Sequence, residues 1–201
     1  MPASLRKGYL AVAAFVFLST LAVYTACVTP SIPFWDSGEF IATSHVLGIP
    51  HPPGTPLYVL IGRLFAMLPF GNVEFQVNWL SALASALAVL FTFLVSVRFM
   101  RIVQAKKGER TTSDEIIAWT CGAVAAFFVA FSNTFWQSAI EAEVYSLSSM
   151  VQIMAVYLAL RWWEELGNNG GDGRLLLAWY LMCLCIGIHL GTFLVAPAVV
   201  L

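Results

Sequence analysis

The sequence predicts an all-α integral membrane protein, a multi-span helical bundle with short interfacial helices in its first outer loop. Hydrophobic residues make up 60% of the 201 residues and charged residues only 10%, with a mean hydropathy of +0.82. An ordinary soluble domain is about one quarter charged, and a water-soluble core cannot absorb that excess of apolar surface. Apolar stretches at 8–29, 79–99, 116–136, 144–163 and 175–201 approach or exceed the roughly 20 residues that cross a hydrocarbon layer about 30 Å thick. The basic residues are distributed to one side of those stretches, which orients them.

In chain order, residues 8–29 form the first expected span. Arg6 and Lys7 precede it as in a secretory signal, but the apolar run exceeds the usual core of about 7–15 residues. Arg6, Lys7, Arg98, Arg101, Lys106, Lys107, Arg110, Arg161 and Arg174 then all fall on one side of the five spans, and only Arg63 falls opposite. By the positive-inside rule the crowded side is cytoplasmic, which also places the N-terminus there. The outer side receives a long connection, 30–78, and a short one, 137–143. The cytoplasmic connections 104–114 and 167–173 read as charged and glycine-rich tethers. Residues 1–201 end inside an apolar run and read as the N-terminal fragment of a longer polytopic protein.

The long outer connection is patterned. Asp36 opens a short helix over about 37–47, with Phe40, Ile41, Val46 and Leu47 on an apolar side and Gly48 as its terminator. Ile49-Pro50-His51-Pro52-Pro53-Gly54 follows, and its prolines predict an extended, polyproline-like backbone. Thr55 and Pro56 suit the cap and first turn of a second helix over about 57–68, closed by Pro69. Both helices are expected to lie on the membrane surface; a re-entrant or sixth span is the alternative for the second.

Several polar residues in this setting can carry chemistry. Asp36 and Glu39 have the spacing of a capping box, and they are also two carboxylates beside apolar Phe34 and Trp35, where burial or a cation would tune a base. His51 sits in a proline frame that holds a side chain at low entropic cost and can donate to a phosphate or carboxylate. Arg63 is a lone outer cation in an apolar helix and needs a partner, either Glu74 or the phosphate of a ligand. Glu141, Glu143 and Tyr145 mark the turn between the third and fourth spans; Tyr145 fits an interfacial aromatic belt, and the carboxylates either face the same cavity as Asp36 or are solvated. His189 lies within the fifth expected span between Gly187 and Gly191, as a site residue or an interhelical hydrogen bond. Cys27, Cys121, Cys183 and Cys185 form no Cys-x-x-Cys pair, which argues against a zinc site or a disulfide framework. Nothing points to nucleic acid.

The order of span, outer Asp with nearby Glu, surface helix, His-Pro-Pro, surface helix and span resembles the N-terminal part of the glycosyltransferase C superfamily. More narrowly, Phe34-Trp35-Asp36-Ser37-Gly38-Glu39-Phe40, His51-Pro52-Pro53-Gly54 and Glu143-Val144-Tyr145-Ser146 are similar to a bacterial membrane family of unassigned function related to a eukaryotic transmembrane protein O-mannosyltransferase. Gly54 stands where many protein and lipid-A glycosyltransferases have Leu. The resemblance implies a mannose-like sugar carried on a polyprenyl phosphate and transferred on the outer face to a hydroxyl of an acceptor protein or glycan, with membrane lipids as surroundings. It implies Asp36 as general base, with Glu39 beside it, and His51 near the lipid phosphate. Direct attack would invert the anomeric carbon. No cofactor follows with certainty, although some superfamily members use a divalent metal. A transporter or flippase for a lipid-linked or anionic substrate is the competing reading, yet no internal repeat is found and the polar groups gather at one face. A plain membrane anchor would leave the carboxylates, His51 and Arg63 without a role.

Overall fold

The computed structural model describes residues 3–106, 108, 110–166 and 172–200, and its regular structure over these residues is helical throughout. Lys107, the tether at 167–171 and Leu201 lie outside the described residues. In chain order the elements are α1 (Ala3–Cys27), α2 (Ser37–Val46), α3 (Pro56–Phe65), α4 (Val73–Ala105), α5 (Thr112–Ala130), α6 (Asn133–Ile140), α7 (Val144–Glu164) and α8 (Asp172–Leu184). Two 3-10 segments, Cys185–Gly187 and Leu190–Val195, and α9 (Ala196–Val200) complete them. Four helices, α1, α4, α5 and α7, are long and apolar enough to cross a membrane, so the chain is a multi-pass helical membrane protein.

The central element is α4, which packs against α1, α2, α3, α5, α6 and α7. Its 33 residues extend about 50 Å at 1.5 Å per residue, well beyond a hydrocarbon layer of about 30 Å. Ala82, Ala84, Ser85, Ala86 and Ala88 are buried along it, and such small side chains let neighbouring helix backbones approach. Val89, Phe93 and Val97 fill the space toward α1 and α5, joined by Val16, Tyr24, Ala118 and Ala126. A second core unites α2 and α3 with α4 and α7 through Phe40, Ile41, Tyr58, Val77, Leu80, Leu147 and Val151. That second core fixes the first loop against the bundle.

At the basic end of the bundle, acidic and basic side chains are paired. Arg101 meets the buried Glu115 at 2.7 Å, Arg110 approaches the same carboxylate at 3.4 Å, and Arg98 pairs with Glu164. Arg161 meets Glu165 at 2.9 Å, and Arg174 joins it. The guanidinium groups of Arg98 and Arg101 also lie over the rings of Tyr157 and Tyr9, at 5.1 and 4.8 Å. The connection before α5 is therefore tied to that helix through Arg110, and charge pairs join α4 to α5 and α7, and α7 to α8.

Two expected spans differ in detail. The stretch 116–136 divides, because α5 ends at Ala130 and Ser132, in extended conformation, starts the separate α6. The Ser132 hydroxyl and backbone N–H both donate to the Val129 carbonyl, at 2.8 and 3.1 Å, which closes the first helix. The stretch 175–201 is no single helix: α8 stops at Leu184 and the backbone at His189 is extended. In the first loop, α2 ends with Leu47, and not Gly48, in the left-handed region, while the Gly48 N–H reaches the Thr43 carbonyl at 2.9 Å. The proline frame closes as a turn and is not extended: the Gly54 N–H donates to the His51 carbonyl at 2.9 Å, with Gly54 at φ +88°. A glycine after the prolines permits that reversal. Pro56 takes the first turn of α3 as expected, but Thr55 makes no side-chain cap.

Candidate functional site

Helix α2 begins among the carboxylates of the 30–78 connection. Trp35 enters it at φ +62°, a left-handed conformation that is an outlier for a bulky side chain and costs of order 1–3 kcal/mol. Trp35 and the preceding Phe34 are 91% and 87% exposed, so no burial of either side chain accounts for the turn. Asp36 follows at the N-cap position with helical backbone angles and makes no capping hydrogen bond. The capping box that its spacing permits therefore does not form.

Glu39 is instead committed to His51. One carboxylate oxygen accepts the His51 backbone N–H at 2.7 Å, and the other meets Nδ1 at 2.7 Å. Phe40, buried in the second core, backs the imidazole at 5.9 Å between ring centroids. The hydrogen bonds from His51 hold the Glu39 carboxyl below its ordinary range, and the same contact raises the imidazole, helped by the charges of Asp36 and Glu143. Ligand-capable atoms of Asp36, Glu39 and His51 all lie within 4.8 Å of one another. These are the residues that could hold a divalent cation, but one placed there would compete with the Glu39–His51 pair.

The second wall is the elbow between α6 and α7. Burial pushes the Glu143 carboxyl up to about 7, and the negative charges of Asp36 and Glu141 push in the same direction. Glu141 is raised by burial as well. The hub that sets this elbow is Asn78 of α4, which is fully buried. Its Oδ1 accepts the Ala142 N–H at 2.8 Å, while its Nδ2 donates to the carbonyls of Thr29 and Ser31 at 2.7 and 3.1 Å. The Thr29 N–H reaches the Ile140 carbonyl at 3.1 Å, and Ser81 accepts the Glu143 N–H at 3.3 Å. One buried amide thus clamps the chain leaving α1 to the elbow carrying Glu141 and Glu143.

Other candidates lie around this cluster. Arg63 donates through Nη1 to the His45 carbonyl in the last turn of α2, not to Glu74. A helix C-terminus presents unsatisfied carbonyls and partial negative charge, which gives the lone cation its partner. Nine residues of helix separate His45 from Asp36, about 14 Å at 1.5 Å per residue. Arg63 therefore anchors the far end of α2. Tyr145, half exposed just after Glu143, sets its ring against that of His189 at 5.1 Å. The whole arrangement is a patch of four carboxylates served by one imidazole: proton acceptors of differing basicity with a hydrogen-bond donor between them.

Reading the residue types alone missed Asn78, Ser81 and the α7 side chains Ser148 and Gln152. The available signal was an amide or hydroxyl inside an apolar run, because such a group at depth must find a partner.

Comparison with known proteins places residues 36–201 within the family described as the protein O-mannosyl-transferase TMEM260 N-terminal domain. The chain is 35% identical over 160 residues to the mouse protein O-mannosyl-transferase TMEM260, covering 79% of this chain and 20% of that protein. It is 26% identical over 163 residues to the Dictyostelium discoideum protein of the same name, covering 78% of this chain and 18% of that one. The chain thus spans about one fifth of the length of these curated relatives. No solved structure matches. The matched stretch takes in Asp36, Glu39, His51 and Glu143.

Proposed function

The chain belongs to the TMEM260 N-terminal domain family, and from that membership we propose that it carries the reaction centre of a membrane glycosyltransferase. In this reading a mannose-like sugar passes from a polyprenyl-phosphate carrier to a hydroxyl on a protein. Transfer occurs at the non-cytoplasmic face and inverts the anomeric carbon. The observation that carries the reading is the gathering of Asp36, Glu39, His51 and Glu143 from two separate loops at the end of the bundle opposite the basic residues. The mouse and Dictyostelium relatives are named for protein O-mannosyl transfer.

The chemistry assigns roles to these residues. Asp36, free of any capping bond, takes the acceptor hydroxyl proton as the oxygen attacks the anomeric carbon. The bond from that carbon to the phosphate oxygen breaks, and its electron pair leaves with the lipid phosphate. Glu39 orients His51 and holds it toward the protonated form, so that the imidazole can donate to the departing phosphate. Glu141 and Glu143 form the acceptor side with Tyr145, and Arg63 steadies the donor side through α2. Against the proline frame lies an apolar hollow of about 450 Å³ lined by Leu47, Ile49, Pro53, Val59 and Leu60, chemically suited to an isoprenoid chain.

A transfer assay of the full-length protein with a panel of polyprenyl-phosphate sugars tests the reading. Mannose should pass to protein from the lipid phosphate, with inverted configuration. Transfer from a nucleotide sugar alone, or movement of the lipid-linked sugar across the bilayer without transfer, would contradict it.

A further inference from the structure

The break after α8 is a built feature. Between Cys185 and Val195 an apolar stretch abandons the α-helix, which in a membrane leaves backbone groups to be satisfied by other means. Local turns satisfy some of them, the Ile188 and His189 N–H groups both reaching the Cys185 carbonyl at 2.9 Å, and two polar side chains one turn apart on α7 brace the rest. Gln152 donates to the Gly191 carbonyl at 2.7 Å, and Ser148 shares a hydrogen bond with Thr192 at 2.8 Å. Thr192 in turn donates to the His189 carbonyl at 2.9 Å. Tyr145, one turn further toward Glu143, carries the ring contact with His189. On the other side, Gly187 packs so closely on Leu57 of α3 that a Cβ there would fall 2.9 Å from the Leu57 Cβ. The break is therefore wedged between the first turns of α3 and α7, which follow the proline frame and Glu143 respectively.

Within the break, the Gly191 N–H donates to His189 Nδ1 at 3.1 Å. An Nδ1 that accepts has no proton, so the neutral ring carries its proton on Nε2. Among the described residues Nε2 has no hydrogen-bond partner, and the side chain is half-buried. A fixed donor of this kind, in a helix interrupted at the cost of dedicated polar partners, has the chemistry of an oxygen-binding group.

We infer that His189 donates its Nε2–H to the phosphate of the lipid-linked donor, so that the broken helix 185–195 forms the third wall of the phosphate site beside His51. The inference rests for its ligand on the lipid-phosphate reading above. It also supplies a donor that Arg63, engaged at the far end of α2, does not.

The two ring nitrogens can be separated by substitution. Asn places an oxygen near the Nδ1 position and keeps the acceptor for Gly191, but lacks the Nε2 donor. His189→Asn in the full-length protein should insert normally and bind a fluorescent polyprenyl phosphate roughly ten- to hundredfold more weakly, the loss of one hydrogen bond to a charged group. Binding of the uncharged polyprenol should not change. Unaltered affinity for the phosphate in His189→Asn would show that the imidazole only holds the break. The wild-type protein gives a second measurement that does not depend on a variant folding. A polyprenyl phosphate with a diazirine next to the phosphate should leave adducts on the peptide containing residues 187–191, competed by unlabelled polyprenyl phosphate and not by phosphatidylglycerol. Equal competition by phosphatidylglycerol would reassign the site to bulk headgroups and overturn the donor assignment. Adducts at His51 without any at 187–191 would overturn the inference and leave the lipid-phosphate reading standing, whereas adducts at neither would overturn both.

Discussion

At the basic end of α4 three glutamates face guanidinium groups, while at the opposite end carboxylates lie near one another with a single imidazole. Glu115, Glu164 and Glu165 are held by Arg101, Arg110, Arg98, Arg161 and Arg174. Asp36, Glu39, Glu141 and Glu143 have, among the described residues, no ion pair with Lys or Arg, and His51 alone serves them. Both ends lie on the same central helix, and Asn78 and Arg98 are 20 residues apart on it, about 30 Å at 1.5 Å per residue. The difference is therefore a matter of local design. Where charge serves only to tie helices together, it is neutralised; where it remains uncompensated, burial and repulsion tune it, as groups that move protons require.

The paired end offers the largest expected effect on stability. Glu115→Gln should destabilise the protein by about 3 kcal/mol or more, since the buried Glu115 carboxylate accepts two hydrogen bonds from Arg101 and faces Arg110. Denaturation in detergent measures this, and a near-zero change would mean that the pairing is incidental. Asp36→Asn should show no comparable loss, because Asp36 makes no capping bond.

Next in size is the clamp between the two loops. Asn78→Leu leaves the buried Ala142 N–H without its acceptor, a cost of about 1–3 kcal/mol. It should also raise the proteolytic sensitivity of the 137–143 connection. Stability and cleavage both unchanged would remove Asn78 as the hub.

A smaller effect follows from Glu143. Its carboxyl is raised to about 7 in the folded chain, above the ordinary carboxylate value, so the folded state holds a proton that the unfolded state releases at lower pH. Its favourable contribution is complete below the unfolded value and is lost as pH rises through about 7. For a partly buried group the loss is of order ~1 kcal/mol after solvent screening. Glu143→Gln should therefore raise the unfolding midpoint at about pH 8 and leave it unchanged at about pH 5. The opposite pattern would place Glu143 beside a cation.

Orientation can be checked without any energetic effect. A cysteine at exposed Ser31 should be labelled by an impermeant reagent in intact cells, and one at Lys106 should be protected. Gly71 is a poor site for such a probe, because it holds φ +67° and a Cβ there would fall 2.9 Å from the Phe75 ring.

Much of this architecture was legible in the sequence. The helices α1, α4 and α7 follow from uninterrupted apolar runs, and α2 and α3 from Asp36 and Pro56 at their starts. Hydropathy could not locate the breaks at Ser132 and after Leu184, because Ser132, Asn133 and Thr134 are a short polar interruption between apolar residues, and the residues after Leu184 stay largely apolar whether or not the helix continues. The motifs singled out Asp36, Glu39 and His51. Their union depends on left-handed backbone at Trp35, Leu47 and Thr55, which ordinary residue preferences do not assign to Trp, Leu or Thr. Partners were harder to read than positions. Arg63 needed an acceptor, but nothing in its local sequence distinguished the Glu74 carboxylate from the His45 carbonyl.

Mannose transfer by full-length Asp36→Asn decides whether the unpaired end is the reaction centre. Asn keeps the shape and polarity of Asp36 while abolishing its capacity to take a proton. Turnover should fall roughly 10²–10⁴-fold, with membrane insertion and donor binding retained. Near-normal transfer by the Asn variant would contradict the account, and the role of base would have to be sought among Glu39, Glu141 and Glu143.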